Sequence, residues 1–309
     1  MEILKLLASI RTPAMNAFFS AVTYLGDELA FMALALLIFW CVDKRTGYYC
    51  FVVGLFGTLA NQFLKIVCRV PRPWVLDPSF TIVESARAAA TGYSFPSGHT
   101  QNAVGTFGAI GLMTKNKAVK TVCFALCLLV PFSRMYLGVH TPMDVGVAFL
   151  MAAALLALLY PFFRAEEAAQ RALRVLLPAC LAAALGFLFY VTALRADSFS
   201  SEEDLSNLSH AVKNAWTLSG CMLGLGIVYL FDRHLRFSTR APLPGQILKL
   251  TLGLALAVLI KSLLKAPLRA AFAQGPADAV RYFVLVVFAG VVWPLSFPFF
   301  SRLGKKEAA

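Results

Sequence analysis

Arg134, His140 and Asp144 stand within one short stretch, Ser133 to Asp144, of a chain otherwise dominated by apolar side chains. Such groups are costly at membrane depth and are usually paired, hydrated or functional. Thr141-Pro142 breaks one helix and opens the next, since proline is tolerated in a first turn. Asp144 follows His140 by four residues, within reach of an imidazole N–H on that first turn. A carboxylate that fixes one ring nitrogen leaves the other free as nucleophile or base. Arg134 adds a planar fork suited to phosphate oxygens. The stretch reads as a phosphate-handling site with an activated histidine.

Two further stretches carry the matching chemistry. Lys65 and Arg72 bring the cations to three, two of them able to bind phosphate bidentately. Ser97 and Gly98 precede an expected helix, whose free N–H groups and positive end favour an anion; glycine there lets the backbone approach closely. In this reading His140, oriented by Asp144, attacks phosphorus. His99 protonates the leaving oxygen and then activates water. Side chains supply the charge stabilisation, so neither a metal nor another cofactor is expected.

Composition sets the elements that must hold these residues. Of 309 residues, 59% are hydrophobic and 14% charged, and several apolar runs approach the ~20 residues needed to cross a bilayer core. That describes an all-α, polytopic transmembrane bundle and excludes a soluble globular protein; the runs lack the alternation of a barrel. About nine spans are expected, near 27–42, 48–67, 96–114, 119–137, 142–163, 175–194, 212–231, 245–264 and 281–300. Residues 1–26 form an expected amphipathic helix in the interface, a tilted first span being the alternative. Residues 27–165 form the catalytic core, and 166–309 add spans of unassigned role. The seven cysteines, Cys68 included, read as packing residues, with no metal-ligand spacing and no disulfide framework.

The net charge of +12 reads as membrane orientation and not as nucleic-acid binding. Lys44 and Arg45, Lys115 to Lys120, Arg164 to Arg174, Arg233 to Arg240, and Lys305 and Lys306 fall on one set of connections, the cytoplasmic set by the positive-inside bias. The amino terminus is then outside and the carboxyl terminus inside. All three motif stretches fall on the non-cytoplasmic side, an agreement that motif spacing does not force. With no eukaryotic targeting signal, the expected location is a bacterial inner membrane, the site facing the periplasm or exterior.

Lys65 to Pro73, Pro96-Ser97-Gly98-His99 and Ser133 to Asp144 resemble the three signatures of the type 2 phosphatidic acid phosphatase family, relatives of the glucose-6-phosphatases and vanadium haloperoxidases. The resemblance covers roughly residues 45 to 165. It implies a helical bundle and metal-independent hydrolysis of phosphate esters, usually on lipids. It also implies that Lys65, Arg72, Ser97, Gly98 and Arg134 hold phosphate, that His99 is the acid, and that His140 is the nucleophile supported by Asp144. The expected partners are a lipid phosphate substrate and the bilayer. A phosphotransferase using the same phosphohistidine and a hydrolase of a soluble phosphate ester are the alternatives.

The remaining features take plainer readings. Arg69 and Arg87 read as interfacial or solvated, and Asp197 to Asp204 as an exposed loop. Gly105, Gly108 and Gly111, and Gly220, Gly224 and Gly226, read as small-residue faces for helix contact. Lys261 to Pro267 repeats the offset of Lys65 to Pro71, with Arg269 beyond, but no second Ser-Gly-His follows. A substrate wall and a homodimer contact are both open to the last four spans.

Overall fold

The computed structural model describes residues 1–199, 201–235 and 237–303, and no strand occurs among them. The orientation markers Arg236, Lys305 and Lys306 lie outside the described residues. The helices are α1 (Glu2–Ser9), α2 (Pro13–Thr23), α3 (Glu28–Leu37), α4 (Lys44–Cys68), α5 (Pro73–Leu76), α6 (Gly98–Met113) and α7 (Lys117–Tyr136). They continue with α8 (Pro142–Phe163), α9 (Glu166–Ala193), α10 (Glu202–Leu235), α11 (Leu243–Leu263), α12 (Lys265–Ala271), α13 (Gln274–Val287) and α14 (Phe297–Phe300).

Among the described residues, seven helical segments are long and apolar enough to cross a membrane, or eight if Pro13–Gly26 and Glu28–Val42, bent by 56°, form one span. The difference from nine lies in α6. Its 16 residues rise about 24 Å at 1.5 Å per residue, short of a ~30 Å core. The first expected span reaches span length only when α3 and the π-helical turn Ile38–Val42 are joined to α2.

The chain divides into two compact units. The first comprises residues 1–32, 49–164 and 191–211, and α6 is its inner helix, packed on α7 and α8. Glycine permits that proximity: a Cβ at Gly108 would stand 2.4 Å from Leu156 Cδ1. The single amphipathic helix expected at the amino terminus is instead two helices. The break has local causes: Thr12 Oγ1 caps α2 by accepting Met15 N–H at 3.3 Å, Pro13 opens it, and Arg11 donates to the carbonyls of Tyr136 (3.0 Å) and Thr81 (2.7 Å). The connection between α5 and α6, polar by sequence, nonetheless contributes core. Phe80, Ile82, Ala86 and Ala90 bury themselves with Leu4, Phe19, Tyr136, Leu137 and Val139, each large apolar side chain contributing about 1.5–3 kcal/mol. That cluster holds the strand of backbone leading directly into His140.

Arg69 is not simply solvated. It ends α4 at φ 49°, a left-handed position, donates to Ser198 O at 3.0 Å, and lies 4.0 Å over the Phe199 ring. Phe199 is buried, and Asp204 accepts from Tyr93 Oη at 2.6 Å, so the stretch expected as an exposed loop is anchored at these two residues, while Asp197, Ser198, Ser201, Glu202 and Glu203 are exposed as expected. Arg87 does keep to the surface, paired with Glu84 at 2.7 Å. Cys68 is exposed at the end of α4 and packs no core; the other cysteines are buried, or half-buried for Cys41.

The second unit comprises residues 33–48, 165–190 and 212–309. Here α13 packs on α11 and α12. It also lies against α10, where Cβ atoms at Gly220 and Gly224 would meet Ala279 O at 2.1 Å and Val286 Cβ at 2.9 Å. Gly226 meets nothing within 4 Å and is not part of that face.

Candidate active site

All eight residues singled out by sequence lie in the first unit, on four pieces of backbone. Lys65 ends α4 and Arg72 precedes α5; Ser97 caps α6, with Gly98 and His99 in its first turn; Arg134 ends α7; Asp144 opens α8. Two main-chain bonds weld these pieces. Ser97 N–H donates to Asp144 O at 3.0 Å, and Val139 N–H to Arg134 O at 3.1 Å. Between them Gly138 turns the chain at φ 82°, and a Cβ there would stand 2.7 Å from Arg11 Nη2; only glycine fits both demands.

His140 sits between α7 and α8, 2% exposed. Its Nε2 lies 3.0 Å from Arg72 Nη1. An arginine has only donors, so Nε2 must offer its lone pair and the ring proton must sit on Nδ1. Nδ1 faces Asp144 Oδ2 at 3.5 Å and Ser94 Oγ at 3.5 Å. The first distance is too long for a strong hydrogen bond, and the carboxylate is better engaged elsewhere: Oδ2 accepts Ser94 Oγ–H at 2.5 Å and Thr141 N–H at 2.7 Å. Thr141 Oγ1 in turn accepts Asp144 N–H, completing a capping box. Asp144 is therefore fixed first by the helix start and only then turned to the imidazole. Burial, followed by the cations Arg72, Arg134 and Lys65, pushes the His140 imidazole well below its ordinary range, which keeps it neutral.

The cations differ in how much of their donor capacity the protein consumes. Arg72 is 3% exposed and gives N–H bonds to Gly92 O (3.0 Å), Thr91 O (2.7 Å) and Val139 O (3.0 Å). Its remaining contact is the His140 lone pair. Lys65, also buried, donates to Tyr93 O. Arg134 is fully buried, yet only Nη1 is engaged, with Thr23 Oγ1 at 2.8 Å; Nε and Nη2 have no acceptor among the described residues. Ser97 is fully buried, and its Oγ accepts the Thr100 hydroxyl at 3.0 Å, leaving its own proton to donate. A Cβ at Gly98 would meet nothing closer than Asn61 Oδ1 at 3.9 Å, so this face of the α6 amino terminus is open. His99, half-buried, lies within electrostatic reach of Arg134, His140, Arg72 and Lys65. The arrangement can hold a tetrahedral anion between three cations and a helix start, with a neutral imidazole nitrogen directed at it.

Several participants escaped the sequence reading. Ser94, fully buried, bonds Asp144 and touches His140; nothing in its spacing marks it. Thr23 reaches Arg134 across 111 positions, beyond any local pattern. Asn61 was findable, since it lies one turn before Lys65 on the same face of α4, where it is 1% exposed and donates to Pro96 O at 3.2 Å.

Comparison with known proteins accords with this geometry. Residues 45–168 match the PAP2 superfamily, and residues 216–306 match the transmembrane extension of PAP2 superfamily phosphatases. Phosphatidylglycerophosphatase B of Bacillus subtilis is 30% identical over 152 residues, which cover 44% of this chain and 69% of that protein. Undecaprenyl-diphosphatase BcrC of Bacillus subtilis is 28% identical over 136 residues, 42% of this chain and 67% of that protein. Sphingosine-1-phosphate phosphatase 1 of Rattus norvegicus is 26% identical over 161 residues, 50% of this chain but only 36% of that protein. The chain thus spans about two thirds of the bacterial relatives it matches and about a third of the mammalian one. No solved structure matches it. With its PAP2 superfamily match, its matching transmembrane extension, a relative 30% identical over 69% of that protein's length and membrane-length apolar helices, the chain belongs to the PAP2 superfamily as an integral-membrane hydrolase of phosphoric ester bonds.

Proposed function

We propose that the protein removes a terminal phosphate from a lipid phosphate monoester or diphosphate, at the non-cytoplasmic face, through a phosphohistidine on His140 and without a metal. The observation that carries this reading is the contact between His140 Nε2 and Arg72 Nη1 at 3.0 Å, which puts a lone pair beside a guanidinium suited to phosphate oxygens. A phosphate oxygen that takes over this N–H brings phosphorus in front of Nε2. Nε2 attacks, the ester P–O bond breaks, and His99 gives its proton to the leaving oxygen. Asp144 stabilises the charge that develops on the ring through the Nδ1 side. His99, now neutral, takes a proton from water; the water oxygen bonds phosphorus, and the N–P bond breaks to restore His140.

Lys65, Arg72, Arg134, Ser97 and Gly98 are the phosphate-binding set in this reading, with 27–165 as the catalytic core. Three cations can stabilise the equatorial oxygens of a phosphoryl transition state. The relatives whose printed names give a substrate act on phosphatidylglycerophosphate, undecaprenyl diphosphate and sphingosine 1-phosphate; a terminal phosphate on a lipid is what these share. The distribution of lysine and arginine supports a site on the outer side, in the reading of a bacterial inner membrane.

The test is phosphate release by purified protein from a panel of lipid phosphates in EDTA, beside His140→Ala. Release that survives chelation and falls at least about 10⁴-fold in the variant is expected. Release that requires metal, or that persists in the folded variant, overturns the mechanism.

A further inference from the structure

The turn from α11 through α12 into α13 gathers charge that the chemistry above does not use. Arg281, 7% exposed, gives Nη2 to Asp278 Oδ1 at 2.7 Å, and Arg269 Nη2 stands 3.9 Å from Asp278 Oδ2. Lys261 Nζ lies 5.5 Å from the Tyr282 ring centroid, and the Arg281 guanidinium carbon lies 5.3 Å from the same centroid. Two arginines thus meet one carboxylate, and Arg281 and Lys261 approach one aromatic ring, a local charge of three minus one. A clamp between α12 and α13 needs one arginine on Asp278. It accounts neither for Arg269 at the same carboxylate and Lys261 at the neighbouring ring nor for Arg281 Nε, which is buried without an acceptor among the described residues. A buried donor left unpaired costs about 1–3 kcal/mol unless something else accepts from it.

The surroundings indicate what accepts. Leu263 is 64% exposed at the end of the apolar run of α11, and Phe272 is 49% exposed just beyond α12, with Lys265 exposed between them. Cations flanked by outward apolar side chains at a helix end are the pattern that meets an anionic headgroup and its chains together. The Lys261, Pro267 and Arg269 spacing that repeats Lys65, Pro71 and Arg72 in part takes the same meaning: cations for phosphate, with no nucleophile to turn it over.

We propose that Lys261, Arg269 and Arg281 bind the phosphate of an anionic membrane lipid, Asp278 holding the Arg281 guanidinium in place with Arg269 in ion-pair reach, and Tyr282 forming one wall. This site is independent of catalysis at His140 and takes a phosphodiester as readily as a monoester.

The full-length protein is reconstituted in phosphatidylcholine nanodiscs with and without phosphatidylglycerol, and its thermal midpoint is measured. Phosphatidylglycerol is expected to raise the midpoint by about 4 °C. The double variant Lys261→Gln/Arg269→Gln, which leaves the Arg281–Asp278 pair intact, should lose most of that rise, while Lys120→Gln, an exposed cation on α7, keeps it. An equal rise in the double variant overturns the proposal. So does an equal rise from soluble glycerol phosphate in phosphatidylcholine alone, which assigns the site to free phosphate. Native mass spectrometry gives a readout that does not depend on fold stability. One fewer retained phosphatidylglycerol in the double variant is expected, and an unchanged number overturns the lipid site. Loss of activity in His140→Ala leaves this result untouched, so the two readings fail separately.

Discussion

Both units bury cations, and they treat them differently. In the second unit Lys249, fully buried, spends its ammonium on the carbonyls of Trp40 (2.9 Å) and Thr239 (3.0 Å). Trp40 lies in the π-helical turn Ile38–Val42, where irregular winding leaves carbonyls in need of donors. Lys44 closes on Asp232 at 2.6 Å and lies 3.5 Å over the Phe237 ring. In the first unit Arg134 keeps two nitrogens without acceptors, and Arg72 turns its last contact to an imidazole. The carboxylate turned to that imidazole, Asp144, is already occupied by Ser94 and Thr141. Burial of positive charge therefore says little alone. Donors in excess of local acceptors are what set Arg134 apart from Lys249, because an unpaired buried donor is costly unless a ligand accepts from it.

The strongest way to break this comparison is to remove the excess. Arg134→Ala should lower kcat/KM about 10²–10³-fold, the usual cost of one transition-state donor, while Arg134→Lys restores charge but not the two-pronged geometry and recovers only part of it. Steady-state kinetics on one lipid phosphate decide this; a folded Arg134→Ala enzyme with unchanged kcat/KM would show the guanidinium to be structural, like Lys249.

Ser94 sharpens the same contrast at smaller scale. It touches His140 and Asp144 and is a positioning residue. Ser94→Ala should lower kcat about 10–100-fold with little change in KM, in the range found for outer-shell partners of reactive groups. It also leaves Asp144 without its shortest hydrogen bond, which makes the carboxylate a stronger partner for the imidazole and raises the pH at which His140 protonates. A uniform loss with no movement of the pH profile would reduce Ser94 to packing.

The motif chemistry and most helix ranges were legible because they rest on local rules: apolar runs of span length, a proline-opened helix, cations at fixed offsets. What escaped is non-local or depends on helix length. Ser94 and Thr23 reach their partners through the fold and leave no periodicity to read. The apolar character of α6 suggested a span, and its 16 residues fall a little short of the usual ~20. Arg11-Thr12-Pro13 holds a cap, a proline start and an arginine drawn to Tyr136 and Thr81. The first two were readable as a break between α1 and α2; the third was not.

A shift in pH dependence is the next smaller effect. In the proposed mechanism neutral His140 is the nucleophile and its protonated form is inactive. Burial and the three cations favour the neutral form, so it persists to lower pH than the ordinary histidine value of 6.5. The acidic limb of kcat/KM, which reports the free enzyme, should therefore fall below pH 6.5, and in Arg134→Ala, with one cation fewer, it should move up towards it. A limb above 6.5 in the unaltered protein would mean that Asp144 outweighs the cations.

Lys249 supplies the complementary case, where activity should not move at all. Lys249→Met keeps the length and apolar stem of the side chain but removes the donor that Trp40 and Thr239 carbonyls share. The Trp40 carbonyl then loses this donor, at about 1–3 kcal/mol, while the Thr239 carbonyl keeps Gln246 Nε2 at 2.9 Å and Trp293 Nε1 still donates to the Lys249 main-chain carbonyl at 3.2 Å. The expected result is a lowered thermal midpoint with kcat and KM unchanged below it. If Lys249→Met instead abolished turnover at full stability, a cation saturated by backbone carbonyls would matter to catalysis, and excess of donors over acceptors would no longer separate a binding cation such as Arg134 from a structural one.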